Sequence, residues 1–291
     1  MFAALPMSLV ARLPVAAASG MCRRGDNLYV VADDELALGV YDLQGAVTGR
    51  ILLGSGELPE EPRARKARKP DFEALVSLPD DSLLALGSGS TPQRRGAVLV
   101  QFAGPEARAS GFSLDALYEA LARELPDLNI EGGAVLGDTL WLCSRGNSQR
   151  RDDALIALDL AAVRASFARG QPPPPGVVRA LLRVSMGVLA GVPLSLTDLT
   201  PHRGRLLFTA AAEASPNTYD DGACAGSVLG RMELARDARG PITPEIIGWA
   251  PEVKLEGVCA AGASPSEPAF FLVADADQPG AHAPLFRTQL E

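Results

Sequence analysis

The sequence contains few of the residue types on which common catalytic sites depend. Among 291 residues it has two histidines, four cysteines and 5% aromatic residues. It contains no Cys-x-x-Cys pair, no Gly-x-Ser-x-Gly turn and no phosphate-binding loop ending in Gly-Lys-Ser or Gly-Lys-Thr. These absences argue against a cysteine-ligated zinc site, an α/β-hydrolase nucleophile and a P-loop nucleotide site.

Long apolar runs and excess positive charge are also missing. No run of about 18 apolar residues occurs, which argues against a transmembrane helix. The formal net charge is -8 and the isoelectric point is near 5.0, whereas a nucleic-acid partner would require a basic face. The first twenty residues lack the basic start of a signal peptide, and Pro6 and Arg12 interrupt their apolar run. We therefore expect a cytoplasmic monomer with no nucleic-acid or membrane partner.

One short pattern recurs five times: an apolar residue, a position that is glutamate in three copies, a residue that is usually small, and a further apolar run. The second position, called here the glutamate column, is residue 19, 73, 131, 197 and 256 in turn. These intervals of 54 to 66 residues close on the length of the chain. Repeats of this length with four strand signals each predict an all-β protein, a five-bladed β-propeller that forms one domain over residues 1–291, with six blades as the alternative.

The last repeat supplies three strand signals before the sequence ends. Its fourth strand is expected from residues 7 to 14, which would close the ring. Two insertions interrupt the repeats: residues 114–121 have the apolar spacing of a short helix, and residues 164–192 include four prolines and predict an irregular segment. The basic run from Arg63 to Lys69 is expected to be a solvated loop. Cys22, Cys143 and Cys259 fall inside strands, where burial is expected, although a disulfide between the first and last blades remains an alternative.

Acidic residues repeat where each innermost strand begins. Because side chains two apart share one side of a strand, Glu73, Glu131 and Glu256 should reach one mouth of the central channel. The second strand of each blade and the loop after it return to the same face. The ligand-binding residues expected there are Asp33, Arg94, Arg145, Asn147, Arg150 and Asp275.

Three glutamates around a narrow channel cannot all remain charged and unpaired. One compensating group would be Ca²⁺, which prefers six to eight oxygen ligands, with Glu73, Glu131 and Glu256 as the metal-binding residues. Lysines and arginines, notably Lys69 and Lys254, are another. Two further alternatives remain open: each glutamate accepts hydrogen bonds from the backbone of adjacent strands, or one of them acts as an acid or base.

Three segments give the chain a resemblance to the phytase-like, or esterase-like, β-propeller group: Asp71-Phe72-Glu73-Ala74-Leu75, Asn129-Ile130-Glu131-Gly132-Gly133 and Lys254-Leu255-Glu256-Gly257-Val258. The resemblance implies acidic residues that coordinate calcium and arginines that hold a small anionic molecule. The chain departs from the pattern where Ser19 and Thr197 replace the glutamate. Two hypotheses follow: a calcium-assisted hydrolase of an anionic phosphoester, or a non-enzymatic module that binds a ligand or protein.

Overall fold

The computed structural model describes residues 2–104, 106–147, 153–214, 222–234, 241–262, 267–276, 278 and 280–290. Five four-stranded antiparallel sheets are arranged in a ring, which is the architecture of a five-bladed β-propeller. The predicted fold class is therefore confirmed, and the six-bladed alternative was wrong. No helix in these described ranges is long and apolar enough to cross a membrane.

The strands carry the alternating and apolar runs that the repeats predicted. In chain order they are β1 (Met7–Leu13), β2 (Ala18–Arg24), β3 (Asn27–Ala32), β4 (Ala37–Asp42), β5 (Val47–Leu52), β6 (Phe72–Ser77), β7 (Leu83–Gly87), β8 (Gly96–Ala103), β9 (Glu106–Ser113), β10 (Ile130–Leu136), β11 (Thr139–Ser144), β12 (Ala154–Asp159), β13 (Val178–Arg183), β14 (Val188–Leu189), β15 (Val192–Pro193), β16 (Ser195–His202), β17 (Arg205–Glu213), β18 (Cys224–Met232), β19 (Glu245–Pro251), β20 (Lys254–Ala260), β21 (Ala269–Asp275) and β22 (Ala283–Gln289). The helices are α1 (Pro62–Arg68), α2 (Asp115–Ala122) and α3 (Leu160–Ala168), with 3-10 turns at Pro92–Arg94 and Pro175–Val177.

Each blade uses four strands in antiparallel order, from the channel outward. Blade 1 is β2-β3-β4-β5, blade 2 is β6-β7-β8-β9, blade 3 is β10-β11-β12-β13, and blade 4 is β16-β17-β18-β19. Blade 5 is β20-β21-β22-β1. The innermost strands β2, β6, β10, β16 and β20 contact one another in sequence around the ring, so their first residues meet at one end of the channel, the channel mouth.

The N-terminal segment closes the ring, as the missing fourth strand predicted. β1 pairs with β22 in an antiparallel register that places Met7 opposite Thr288 and Leu13 opposite Ala283. The residues before β1 also bind blade 4, because the amide of Leu5 donates to the carbonyl of Trp249 at 2.8 Å. One short segment therefore covers an edge of blade 4 and completes blade 5.

The apolar core lies in layers between neighbouring blades rather than in one centre. Between blades 2 and 3, for example, Leu84 and Leu86 pack with Leu140 and Leu142. Similar layers separate the other neighbouring blades. This arrangement lets the chain bury a large apolar area while each blade remains thin.

Two connecting segments differ from the sequence-based expectation. Residues 164–192 are more regular than predicted, because α3 leads into β13, which is the outer strand of blade 3, and β14 and β15 form a hairpin. The basic run is a helix rather than a solvated loop: the carboxylate of Glu61 caps α1 by accepting from the amide of Ala64 at 2.7 Å. The helix expected at residues 114–121 is confirmed as α2.

Candidate functional site

Every innermost strand has a β-bulge at the glutamate column. The pairing register with the second strand skips Glu73 in blade 2, Glu131 in blade 3, Thr197 in blade 4 and Glu256 in blade 5, and it skips Ser19 together with Gly20 in blade 1. A bulge inserts an unpaired residue and redirects its side chain. The repeated sequence pattern is thus the signature of a bulge that turns one side chain per blade toward the channel mouth.

The position after the column brings the innermost strands together. A Cβ atom on Gly132 would lie 2.5 Å from the Cα of Asp198, and one on Gly257 would lie 2.6 Å from the carbonyl oxygen of Ser19. Blade 4 has Asp198 at this position, where other blades have glycine or alanine. Its buried carboxylate accepts a hydrogen bond from the amide of Val258 in blade 5 at 2.8 Å.

One half of the channel mouth is the Lys69 cluster, formed by Asp33, Lys69, Asp71, Glu73 and Arg94. The ammonium of Lys69 lies between two carboxylates: it donates to Asp33 and is 3.0 Å from Asp71. The guanidinium of Arg94 lies 2.8 Å from the other oxygen of Asp71 and is almost fully buried. Carboxylate oxygens of Asp33, Asp71 and Glu73 lie within 4.8 Å of one another. Two cations thus serve three carboxyl groups.

The backbone fixes the direction of the Asp71 carboxylate. Asp71 has a φ of 58°, an uncommon conformation that aspartate tolerates better than most residues. The hydroxyl of Ser88, at the end of blade 2's second strand, donates to the Asp71 carboxylate at 2.6 Å. Strain of this kind persists where the surroundings determine one conformation, and it occurs often at functional sites.

Glu73 differs from its neighbours in having no cation of its own. It is half-buried and faces the mouth. Within the described ranges its carboxyl group has no hydrogen bond or ion pair. Burial raises its pKa well above the usual range, and the nearby charges of Asp71 and Glu131 raise it further. Burial also raises the pKa of Asp33 to about 6, although Lys69 opposes this shift.

The other half of the mouth is the Arg145 cluster, formed by Glu131, Arg145, Glu213, Lys254 and Glu256. The guanidinium of Arg145 bridges Glu213 at 2.5 Å and Glu131 at 3.4 Å. The ammonium of Lys254 lies 3.3 Å from Glu256 and 3.6 Å from Glu213. All five side chains of the cluster are largely buried. These ion pairs join blades 3, 4 and 5.

Burial and ion pairing shift the pKa values of the carboxyl groups in this cluster in opposite directions. Burial raises the pKa of Glu256 to about 8, despite Lys254 and Arg145, and it also raises the pKa of Glu131. Burial would raise the pKa of Glu213 as well, but Arg145 and Lys254 outweigh it and hold this pKa below its usual value. Carboxyl groups with opposite shifts therefore share one network, an arrangement common at catalytic sites.

Other side chains satisfy the backbone of the innermost strands, the role considered for the glutamates. The carboxylate of Asp153 accepts from the amide of Leu196 at 2.8 Å, and the hydroxyl of Ser227 accepts from the amide of Leu255 at 2.9 Å. Glu131 instead accepts from the side chains of Asn129 and Arg145. Glu131 and Glu256 are thus held by other side chains rather than by the backbone of the adjacent strands.

The acidic residues were expected to hold Ca²⁺ through Glu73, Glu131 and Glu256. In the described ranges the carboxylates close enough to share an ion are those of Asp33, Asp71 and Glu73 instead. Their oxygen donors suit calcium, but the ammonium of Lys69 already contacts two of them. A calcium ion would have to displace Lys69, so the arrangement as it stands does not fit calcium.

Of the residues expected to bind a ligand, those in the described ranges already have side-chain partners. Arg94 and Arg145 are ion-paired with carboxylates, and Asp33 with Lys69. Asp275 lies 3.3 Å from Lys254. Asn147 is buried and donates to Asp127 at 3.3 Å. Arg150 lies outside the described residues.

The opposite end of the channel has a different character. His202 lies at the far end of β16 from Thr197 and packs edge-on against Phe270, with ring centroids 5.1 Å apart. Cys22, Cys143 and Cys259 are free and buried, as burial inside strands predicted. Burial raises the pKa of each of these thiols above its usual value. Thiols of this kind pack as small apolar groups.

Sequence reasoning missed two buried acids, Asp153 and Asp198. Both are less than 3% exposed, and burial raises the pKa of Asp153 to about 7. A signal existed for Asp198, since it stands where the other repeats have a small residue. Asp153 immediately precedes the third strand of its blade, and nothing in the repeat pattern distinguished it from a solvated loop residue.

The fold and the site together define a class: a five-bladed β-propeller with a buried network of carboxyl groups and cations at one channel mouth. Residues 14–290 match the DUF6929 family model, described as a family of unknown function, so the chain belongs to that family. No curated protein matches the chain.

Solved structures with similar folds include several enzymes. Glutaminyl cyclase from Myxococcus xanthus is 11% identical, with all of both chains covered and a TM-score of 0.52. A luciferin-regenerating enzyme is 9% identical over 98% of this chain and 95% of its own, with a TM-score of 0.49. The Bacillus subtilis arabinanase Arb43A is 11% identical over 98% and 97%, with a TM-score of 0.42. At 11% identity the similarity to glutaminyl cyclase shows a shared propeller fold and gives no information on activity. The other two similarities are weaker still.

Proposed function

We propose that the protein is a hydrolase that acts at the channel mouth through acid–base chemistry, with Glu73 as the proton donor. The observation that carries the proposal is the environment of Glu73. Its carboxyl group faces the mouth, has no partner within the described ranges, and has a pKa well above the usual range. A carboxyl group that keeps its proton near neutral pH can donate it to a leaving group.

The same cluster supplies the charged partner that such a reaction needs. Asp71 is ion-paired with Lys69 and Arg94, and its oxygens lie within 4.8 Å of those of Glu73 and Asp33. Hydrolysis by two carboxyl groups requires one that is protonated and one that is charged, close enough to act on the same bond. In this proposal Asp71 attacks the substrate while Glu73 protonates the leaving group, and water deprotonated by Glu73 then hydrolyses the covalent intermediate and frees Asp71.

The paired arginines bear on the substrate class. An anionic phosphoester would need a guanidinium group free to bind it, and both Arg94 and Arg145 already bind carboxylates. An excess of carboxyl groups over cations also opposes a second anion at the mouth. We therefore propose a small polar substrate that is neutral or positively charged, in place of the phosphoester first expected. No step of this proposal uses calcium.

The proposal is tested with chromogenic substrates in three classes: glycosides, neutral esters and phosphate esters. Turnover of a neutral substrate is expected, and Glu73→Gln should lower kcat by roughly 100-fold or more, since positioned acid–base groups contribute about 10²–10⁴. Activity should fall as pH rises through the pKa of Glu73, because the donor loses its proton. The matched control is Glu60→Gln, an exposed glutamate in the loop before α1, which should leave kcat unchanged.

The non-enzymatic alternative predicts the opposite result. A chain that binds a ligand at the mouth, seen as a raised melting temperature, without turning over any substrate class would contradict the hydrolase proposal. Full activity in Glu73→Gln would contradict the role of Glu73 while leaving the mouth as the site.

A further inference from the structure

A second arginine environment lies away from the channel mouth. Arg24 ends β2 at the turn side of blade 1, and its guanidinium lies over the ring of Phe102 in blade 2, 4.1 Å from the ring centroid. Among the described residues it has no acidic partner, and its buried Nε has no hydrogen-bond acceptor. The arginines of the mouth, by contrast, bind carboxylates.

Aromatic packing holds this guanidinium in place. Phe102 packs edge-on against the buried ring of Tyr29, with centroids 5.5 Å apart. Stacking on an aromatic face orients a guanidinium without using its hydrogen-bond donors. The ring of Phe102 therefore holds the guanidinium of Arg24 without using its hydrogen-bond donors, which leaves them available for an acceptor.

Arg24 lines a groove between blades 1 and 2, called here the blade 1–2 groove. Its volume is about 600 Å³, a size typical of small-molecule sites. One wall is apolar, with Val40, Ile51 and Leu52, and the wall from β9 carries only the small side chains of Ala107 and Ala109. The groove thus has room for an apolar body against one wall.

A second polar group points to the same kind of ligand. Asn27 lines the groove, and its side-chain oxygen accepts from the hydroxyl of Thr48 at 3.2 Å. This bond leaves the amide NH₂ of Asn27 as a donor. The other arginine of the groove, Arg50, is paired with Glu35 at 2.7 Å. The uncompensated charge of the groove is therefore positive, although the whole chain has a net charge of -8.

We propose that the blade 1–2 groove binds a small organic acid, with its carboxylate on Arg24 and Asn27 and its apolar body against the β4–β5 wall. A guanidinium and a carboxylate form two parallel hydrogen bonds, and the aromatic support of Arg24 presents that edge in advance. This site is separate from the channel mouth, so it does not depend on the hydrolase proposal.

Calorimetric titration with 1-naphthaleneacetate and its neutral analogue 1-naphthaleneacetamide tests the site. The acid should bind the full-length protein with a Kd of about 1 mM or tighter, and the amide about tenfold or more weakly, because a charged hydrogen-bonded pair is lost. Arg24→Gln should remove the preference for the acid, whereas Arg24→Lys should keep part of it.

Two further variants keep the test independent of folding. Arg108→Gln is the matched control: Arg108 is exposed and lies between Ala107 and Ala109 on β9, so its side chain faces away from the groove, and the Kd should not change. Ala109→Phe should fill the groove and weaken binding with Arg24 intact. Equal binding of acid and amide, no heat with the acid, or an equal loss in Arg108→Gln and Arg24→Gln would each overturn the proposal.

Discussion

The two halves of the channel mouth solve the same electrostatic problem differently. In the Arg145 cluster each column glutamate contacts a cation: Glu131 lies 3.4 Å from Arg145, and Glu256 lies 3.3 Å from Lys254. In the Lys69 cluster both cations contact Asp71, and Glu73 has no ion pair in the described part of the chain. One half gives each column glutamate a cation, although burial still raises the pKa of Glu256 to about 8, and the other half leaves Glu73 without an ion pair.

This difference separates structural from chemical roles at positions that are equivalent in the repeat. A buried ion pair seldom adds much stability, but removal of one member leaves the other charge buried and unpaired. The Arg145 cluster therefore has a structural role, because its ion pairs hold blades 3, 4 and 5 together. A buried carboxyl group that takes up a proton on folding costs stability at neutral pH, but it can exchange that proton, which is the property that catalysis requires.

The largest effect is expected from Arg145→Met. This change leaves Glu131 and Glu213 buried without their guanidinium, which should lower the free energy of unfolding by about 3–5 kcal/mol at pH 7.5. The loss should shrink at pH 5, because protonation removes the unpaired charges. Urea unfolding at both pH values measures it. A loss below about 1 kcal/mol at pH 7.5 would contradict the structural role of the cluster.

The repeat was sufficient to predict the blades and their closure. The column spacing set the number of blades, and the missing fourth strand of the last repeat located β1, which pairs with β22. Both inferences use only periodicity and the rule that an open sheet edge must be covered. Residues 178–183 escaped the prediction because the four prolines and α3 separate this strand from the rest of blade 3.

Partner choice inside the mouth could not be predicted in the same way. Arg145 and Glu213 are 68 positions apart and meet at 2.5 Å, and periodicity gives no information on which cation reaches which acid. Lys69 was expected to end a solvated basic run and was also named as a cation that could compensate the glutamates, yet the turn after α1 directs it between Asp33 and Asp71. The charged groups were identified, but their pairing depends on three-dimensional geometry.

A second prediction turns the Lys69 cluster into a test of calcium binding. Lys69→Ala removes the ammonium that contacts Asp33 and Asp71, which should cost about 2–3 kcal/mol without calcium. The three carboxylates would then face one another, so the variant should bind calcium more tightly than the wild type does. Calorimetry and melting temperature with and without 5 mM CaCl₂, roughly 100 times a Kd of 50 μM, would register the gain. Tight calcium binding by the wild type would show that calcium displaces the ammonium of Lys69 from Asp33 and Asp71.

A third prediction concerns pH and Glu256. Its pKa is about 8 in the folded protein and about 4.3 in an unfolded chain, so the folded state binds this proton more tightly. The corresponding stability is present at low pH and is lost as pH rises from about 4.3 to about 8. Glu256→Gln should therefore flatten the fall in stability and gain about 4 kcal/mol on the wild type between pH 5 and pH 8.5, at roughly 1.4 kcal/mol per pH unit. An unchanged slope of the free energy of unfolding against pH would mean that a group other than Glu256 takes up this proton.

The smallest loss of stability, and the sharpest contrast between the two halves, is expected from Glu73→Gln. A protonated carboxyl group and an amide have similar size and polarity, and Glu73 has no ion pair to lose within the described ranges. The free energy of unfolding at pH 7 should not fall, because the wild type takes up a proton at Glu73 on folding and the variant does not have to. Glu131→Gln is the matched comparison. It replaces an oxygen that accepts from Asn129 and Arg145, and a loss of about 1.5–3 kcal/mol is expected because bonds to a charged group are stronger.

If urea unfolding gives equal losses for both variants, Glu73 is charged and partnered in the folded protein and cannot be the proton donor. If Glu73→Gln is neutral in stability but inactive, the carboxyl group that the fold leaves unpaired is the one that the reaction uses.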